Sequence, residues 1–225
     1  MALEVECKFL EVNLAALRRR LVAAGAFCHG THFESNSVFD TPDGSLVPSG
    51  RLLRLRSQEW PEKCRHVLTL KLPAAGQDKG RVAATFASQS PDGARRYKVR
   101  EEREVAVADA PAMRHVLEGL GYSAVAQYEK VRESWLLDNV KVELDVLSFM
   151  EGVELEGAPQ GIEAVQHRLG LDKTAISTKN YHQLYQDWLQ RNNLPPSLSF
   201  VFDATQKNVW RQRLGLRENT APSPL

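Results

Sequence analysis

Cysteine is scarce in this chain: Cys7, Cys28 and Cys64 are the only three in 225 residues, and no Cys-x-x-Cys spacing occurs. That excludes a disulfide framework and a thiolate zinc cluster, and it predicts a reduced, cytoplasmic protein. Long apolar runs are also missing, so no membrane span and no membrane partner are expected. Charge appears within the first four residues, without the apolar stretch of a signal peptide. Excess charge of either sign is lacking: 29 basic and 28 acidic residues leave a net charge of +1. A nucleic-acid binder usually carries a basic surplus, so no nucleic-acid partner is expected. The six histidines show no His-Glu-x-x-His spacing, and no Gly-x-x-x-x-Gly-Lys loop exists to cradle phosphates.

What is present is a repeated alternation. Glu4, Glu6 and Lys8 sit at every second position of a segment whose other positions hold Val5, Cys7 and Phe9. A strand places such residues on opposite faces, one charged and one apolar. The pattern returns at Arg54 and Arg56, at Thr69 and Lys71, and at Arg100, Glu102 and Glu104. It returns again at Lys130 and Arg132, at Glu143 and Asp145, and at Glu154 and Glu156.

Between these strands the helical period predicts helices over 13–25, 109–120, about 160–169 and about 178–191. Further strands are expected at 32–39 and in a hairpin of 52–56 with 66–72. A polar loop at 76–93 is expected to hold a short strand near Val82. Glu4-x-Glu6-x-Lys8 aligns with Arg100-x-Glu102-x-Glu104 at an offset of 96, and Gly25 then aligns with Gly121. Both halves read strand, helix, strand, strand, strand. A duplication of that unit gives about eight strands, enough to close a barrel around one small ligand. The predicted organisation is a tunnel domain over 1–193, with pseudo-repeats of about 1–95 and 96–193, followed by an extension over 194–225. Within the extension, Ser197 to Leu214 is expected to form an amphipathic helix that covers the domain's own core or mediates a homodimer, and the last residues are expected to fray.

Two architectures fit the alternation. One is an ordinary sheet with charges in solvent. The other is an α+β fold: a closed eight-stranded antiparallel barrel, apolar outside and clad by helices, with a charged lumen. In the second, burying unpaired ions costs several kcal/mol each against a total stability of about 5–15 kcal/mol, so the charges must pair and await a ligand. A divalent cation relieves the repulsion among Glu4, Glu6, Glu154 and Glu156. A polyanion relieves that among Lys8, Arg54, Arg56, Lys71, Lys130 and Arg132. A metal-chelated triphosphate or nucleotide satisfies both sets.

In their order along the chain these motifs resemble the CYTH superfamily, the triphosphate tunnel metalloenzymes. That group includes class IV adenylate cyclases, thiamine triphosphatases and inorganic triphosphatases. The resemblance runs from about residue 3 to 185, and a late Lys179 before Tyr181 completes it. It implies that Glu4, Glu6, Asp145, Glu154 and Glu156 hold Mg²⁺ or Mn²⁺, hard ions that prefer oxygen. It implies phosphate binding by Lys8, Arg54, Arg56, Lys71, Arg100, Lys130, Arg132 and Lys179. Glu102, Glu104 and Lys71 are the candidates for the catalytic step. The expected activity is hydrolysis of a triphosphate compound. The alternatives are cyclisation of ATP to cyclic AMP and pyrophosphate, and binding of a polyphosphate or nucleotide without turnover.

Overall fold

A computed structural model describes residues 2–73, 97–171 and 176–216. The strands are β1 (Ala2–Leu10), β2 (Phe27–Asp40), β3 (Leu52–Glu59), β4 (Cys64–Pro73), β5 (Lys98–Val107), β6 (Ser123–Leu137), β7 (Val140–Leu147), β8 (Glu151–Glu156) and the two-residue β9 (Ile176–Ser177). The helices are α1 (Leu14–Ala23), α2 (Ala110–Gly119), α3 (Pro159–Arg168), α4 (Tyr181–Arg191) and α5 (Ala204–Arg213). Antiparallel pairing runs β5-β4-β3-β2-β6-β7-β8-β1, and β1 then pairs with β5 to close an eight-stranded barrel. β9 continues the seam beyond β5 by pairing Ser177 with Lys8. The expected short strand near Val82 and the frayed end of the chain fall outside the described residues. Among the described residues, no helix is long and apolar enough to cross a membrane.

Closure depends on the duplicated pattern. β1 and β5, α1 and α2, and β2 and β6 begin at an offset of 96, as in Leu14 to Ala110 and Phe27 to Ser123. Asn13 and Asp109 cap the two helices by accepting from Ala16 N and Ala112 N. Gly25 and Gly121 follow them with φ of 73° and 89°, a backbone that glycine adopts without a Cβ clash. The equivalent strands β1 and β5 then meet with Glu4 opposite Arg100. The repeat loses register after that, with β3 and β7 spaced by 88 (Leu52 to Val140). The cause is the turn: β6 and β7 join through Asp138 and Asn139, both at positive φ, whereas 41–51 form a longer loop between β2 and β3.

The apolar faces point outward and the helices cover them. Cys7 and Phe9 pack with Leu14, Leu17 and Leu21 of α1 and with Ile162 and Val165 of α3. Phe39, Leu53 and Leu55 pack under Ala110 and Leu117 of α2. The ordinary open sheet is thereby excluded, because the charged faces line the inside.

Two elements differ from the sequence expectation. β2 starts at Phe27 rather than His32, because its first residues pair with β6 across a bulge yet are exposed and show no alternation. The tail helix covers only 204–213. Before it, Phe200 bridges Tyr128 in parallel, with Phe200 N donating to Gln127 O and Glu129 N donating to Phe200 O. Those bonds hold the segment extended until Asp203 caps α5. Phe200 and Phe202 are buried against the barrel. Replacing Phe9, fully buried between β1 and α1, by alanine is expected to lower the unfolding free energy by about 3–5 kcal/mol in urea denaturation.

Candidate active site

Alternate residues of all eight strands face one cavity of about 480 Å³. Its described lining carries eleven Lys or Arg side chains against seven Glu, although the whole chain is nearly neutral. The cavity is therefore built for an anion.

Around β1 each carboxylate is met by an ammonium. Lys8 Nζ lies 2.8 Å from Glu6 Oε1 and 3.0 Å from Glu154 Oε1, and Lys98 Nζ lies 2.7 Å from Glu6 Oε1. Lys71 Nζ bridges Glu4 at 2.6 Å and Glu102 at 3.3 Å, while Lys141 Nζ reaches Glu156 at 2.7 Å. Register explains the meeting, since Glu6 stands opposite both Glu156 and Lys98, and Lys8 opposite Glu154. Burial alone pushes the Glu6 carboxyl up, but Lys8 and then Lys98 outweigh it and hold it down at about 2. Glu154 is likewise held well below the usual range by Lys8 and Arg132 against its own desolvation. Glu102 moves the other way: burial, followed by Glu4 and Glu104, raises it despite Lys71.

On the opposite wall the charges converge on Glu34, which is fully buried. Arg56 Nη1 lies 3.4 Å away, Lys130 Nζ 3.6 Å, and His32 Nε2 2.9 Å. Desolvation raises the Glu34 carboxyl, and Arg56 and Lys130 reverse that and hold it well below the usual range. Arg54 is different. It donates to Tyr128 OH at 3.1 Å and to Thr69 Oγ1 at 3.2 Å, its nearest carboxylates stand 3.8 and 3.9 Å off, and its buried Nε has no partner. A buried guanidinium without a hydrogen-bonded carboxylate is an open position for a phosphate oxygen.

The expected site residues do not all stand together. Glu4, Glu6, Glu154 and Glu156 line the cavity, as do Lys8, Arg54, Arg56, Lys71, Arg100, Lys130, Arg132, Glu102 and Glu104. Asp145 lies behind the wall, with Arg132 donating through Nε at 2.6 Å and Nη2 at 2.5 Å, Lys130 at 3.1 Å and Tyr181 OH at 2.7 Å. Its oxygens are spent on orienting those donors rather than facing a ligand. Lys179 is half-exposed, pairs with Asp187 and does not line the cavity; its neighbours Asn180, Tyr181 and His182 do. The helix cap at Asn180 turns the chain there and directs Lys179 outward. Trp60 backs His32 at a ring distance of 4.5 Å.

Sequence reasoning missed Lys98, Lys141, Glu34 and Tyr128. The signal for each was its phase: Lys98 is two residues before Arg100, Lys141 two before Glu143, and Tyr128 two before Lys130. Glu34 alternates with His32 and Asn36, a mixed polar row without the paired charges of the other strands.

The carboxylates of β1 and β8 fit a divalent metal by donor chemistry, being hard oxygens on adjoining strands. Among the described residues no three His, Cys, Asp or Glu already converge on one point, because lysines sit between them.

A family model for the CYTH domain matches residues 2–171. No curated protein matches the chain. Among solved structures, a candidate adenylate cyclase from Vibrio parahaemolyticus is 17% identical, with a TM-score of 0.63 over 81% of this chain and 97% of the other. The PH1819 protein from Pyrococcus horikoshii OT3 is 19% identical, with a TM-score of 0.63 over 82% and 98%. HpAC1 from Hippeastrum, described as a candidate adenylyl cyclase with a dominant triphosphatase activity, is 18% identical, with a TM-score of 0.54 over 88% and 99%. At such identities the structural likeness shows the shared fold.

The electrostatics of the tunnel are testable on Tyr128. Burial pushes its phenol up, but Arg54, Arg56 and Lys130 outweigh that and bring it down to about 8. Because the folded value is depressed, this tyrosine contributes stability above its unfolded value near 10 and loses it as pH falls through about 8. Ultraviolet titration is expected to show one early phenolate, absent in Tyr128→Phe. No phenolate before the ordinary tyrosine range would contradict the assignment.

Proposed function

The chain belongs to the CYTH domain family and is an enzyme of that kind, and from this premise we propose that it hydrolyses a triphosphate compound with Mg²⁺ or Mn²⁺ in its tunnel. The observation that carries the reading is the lining itself: an excess of fixed cations, including the open guanidinium of Arg54, beside lysine-neutralised carboxylates of hard-metal type.

Glu4, Glu6, Glu154 and Glu156 would hold the divalent ion. When bound, it supplies charge neutralisation and polarisation of phosphoryl oxygens. The lysines that now pair with these carboxylates would then be free to face phosphate oxygens. Lys8 and Lys98 on Glu6, and Lys71 on Glu4, are the clearest cases. Arg54 and Arg56 offer planar forks to the chain of phosphates, and Arg132 is held in place by Asp145. Lys130 is shared between Glu34 and Asp145, which keep it aimed along the wall. Glu102, raised by burial and by neighbouring carboxylates, is suited to take the proton of an attacking water at its carboxylate. Asp145 would serve by positioning Arg132, Lys130 and Tyr181.

Cyclisation of ATP is the second reading; the dominant triphosphatase activity described for the Hippeastrum neighbour supports putting hydrolysis first. Orthophosphate from tripolyphosphate, thiamine triphosphate or ATP supports hydrolysis, whereas cyclic AMP with pyrophosphate supports cyclisation. Glu156→Gln is expected to lower kcat about 10²-fold or more at an unchanged melting temperature, since its side chain is about 31% exposed and, among the described residues, pairs with Lys141 alone. Glu6→Gln is expected to do the same, with some loss of stability because Lys8 and Lys98 lose their partner. Unchanged turnover in both variants would overturn the proposal.

A further inference from the structure

One buried carboxylate faces no ligand in the proposed hydrolysis. Glu34 is fully buried behind the cavity, and Arg56, Lys130, His32 and Gln58 line the cavity around it. The register centres it, with Gln58 opposite on β3 and Lys130 opposite on β6. Its Oε1 lies 2.9 Å from His32 Nε2 and accepts from Gln58 Nε2 at 3.1 Å, and Trp60 backs the His32 ring at 4.5 Å. Its Oε2 has no hydrogen bond among the described residues.

Asp145 shows what a carboxylate does when it orients cations. It is equally buried, and its oxygens accept from Arg132, Lys130 and Tyr181. Around Glu34 the cations stand further off, Arg56 Nη1 at 3.4 Å and Lys130 Nζ at 3.6 Å, beyond the usual hydrogen-bond range. The hydrogen bonds that orient those two cations come from neighbours: Arg56 Nε donates to Asn36 Oδ1 at 2.9 Å, and Lys130 to Asp145 at 3.1 Å. What Glu34 adds is charge. Against its own desolvation, Arg56 and Lys130 keep it ionised. A carboxylate behind two cations lowers their attraction for an anion in front of them, and in a buried wall that effect is poorly screened.

Resting on the hydrolase reading above, we propose that Glu34 is a positioning residue that works by charge: acting through Arg56 and Lys130, it limits how tightly the wall holds a polyphosphate and lets the diphosphate product leave. Eleven Lys or Arg side chains line the cavity against seven Glu, so the lumen captures an anion readily and must still release one. Attraction felt equally by substrate and transition state lowers KM without speeding the chemistry, and diphosphate keeps much of the charge on which that attraction acts. A counter-charge that touches no ligand weakens the hold without removing a phosphate contact.

Two near-isosteric variants of the full chain move the charge in opposite directions. In Glu34→Gln the amide oxygen can keep the His32 and Gln58 contacts, while the NH₂ group replaces the oxygen that has no partner. Its calorimetric Kd for diphosphate, measured without metal, is expected to tighten about tenfold. With tripolyphosphate and Mg²⁺, its KM and kcat are expected to fall together as release slows. Asn36→Asp keeps the oxygen that Arg56 uses and adds a carboxylate on the same face, so it is expected to loosen diphosphate about tenfold, and it decides the matter if Glu34→Gln fails to fold. A Glu34 that merely orients its neighbours predicts the reverse for Glu34→Gln, a looser diphosphate and a higher KM. That result, an unchanged Kd, a kcat that holds while Kd tightens, or Asn36→Asp without loosening would overturn the role and leave hydrolysis standing. The expected shifts in Kd with no product from any triphosphate would support Glu34's control of affinity and overturn the hydrolase reading.

Discussion

Charge neutralisation inside a closed barrel is the constraint on which the structure depends. Alternation along each strand sends one face to the helices and the other to the lumen, and closure of β1 on β5 leaves the lumen charges no route to bulk solvent except the mouths. A buried ion without a partner costs several kcal/mol, comparable with the whole stability of a domain. Every strand's charges must then be matched by its neighbours. The register accomplishes this, setting Lys8 against Glu154, Lys98 against Glu6, Lys130 against the Glu34 row, and Lys141 against Glu156.

The same matching explains how a binding site is made from ion pairs. Each lysine stabilises a carboxylate in the free protein, and each is also a cation that can be handed to a phosphate when a metal takes its place. Arg54 and Glu34 mark the two exceptions. Arg54 has hydrogen bonds but no close carboxylate, which favours an incoming anion, whereas Glu34 Oε2 is buried without a hydrogen bond among the described residues and leaves Arg56 and Lys130 3.4 and 3.6 Å away.

Much of this was legible in the sequence, and the reasons are specific. Period-2 charge on β1, β3, β5 and β8 survives in any register, so the lumen face and the barrel could be read from it. The first three elements of the two halves begin at that offset of 96, and Glu4 stands opposite Arg100. Partnership is another matter, because it depends on shear and closure rather than on local pattern. Local pattern therefore does not show that Lys98 and Lys141 join the lining, that Arg132 and Tyr181 donate to Asp145, or that Lys179 pairs with Asp187. The tail differs for a related reason: Ser197 to Leu214 carries apolar residues at helical spacing, but backbone bonds to β6 hold Phe200 extended. Glu34 lay hidden in a strand whose polar face is mixed.

The central claim is that metal and polyanion replace one another's counter-charges in one tunnel, so their binding must be coupled. Titration calorimetry with a non-hydrolysable imidotriphosphate, with and without Mg²⁺, measures that coupling directly. The account predicts that saturating Mg²⁺ tightens the analogue at least about tenfold, beyond the metal's own effect on the free analogue, and that Glu6→Gln removes the gain. Equal affinity with and without Mg²⁺, or a gain that survives in Glu6→Gln, would contradict it.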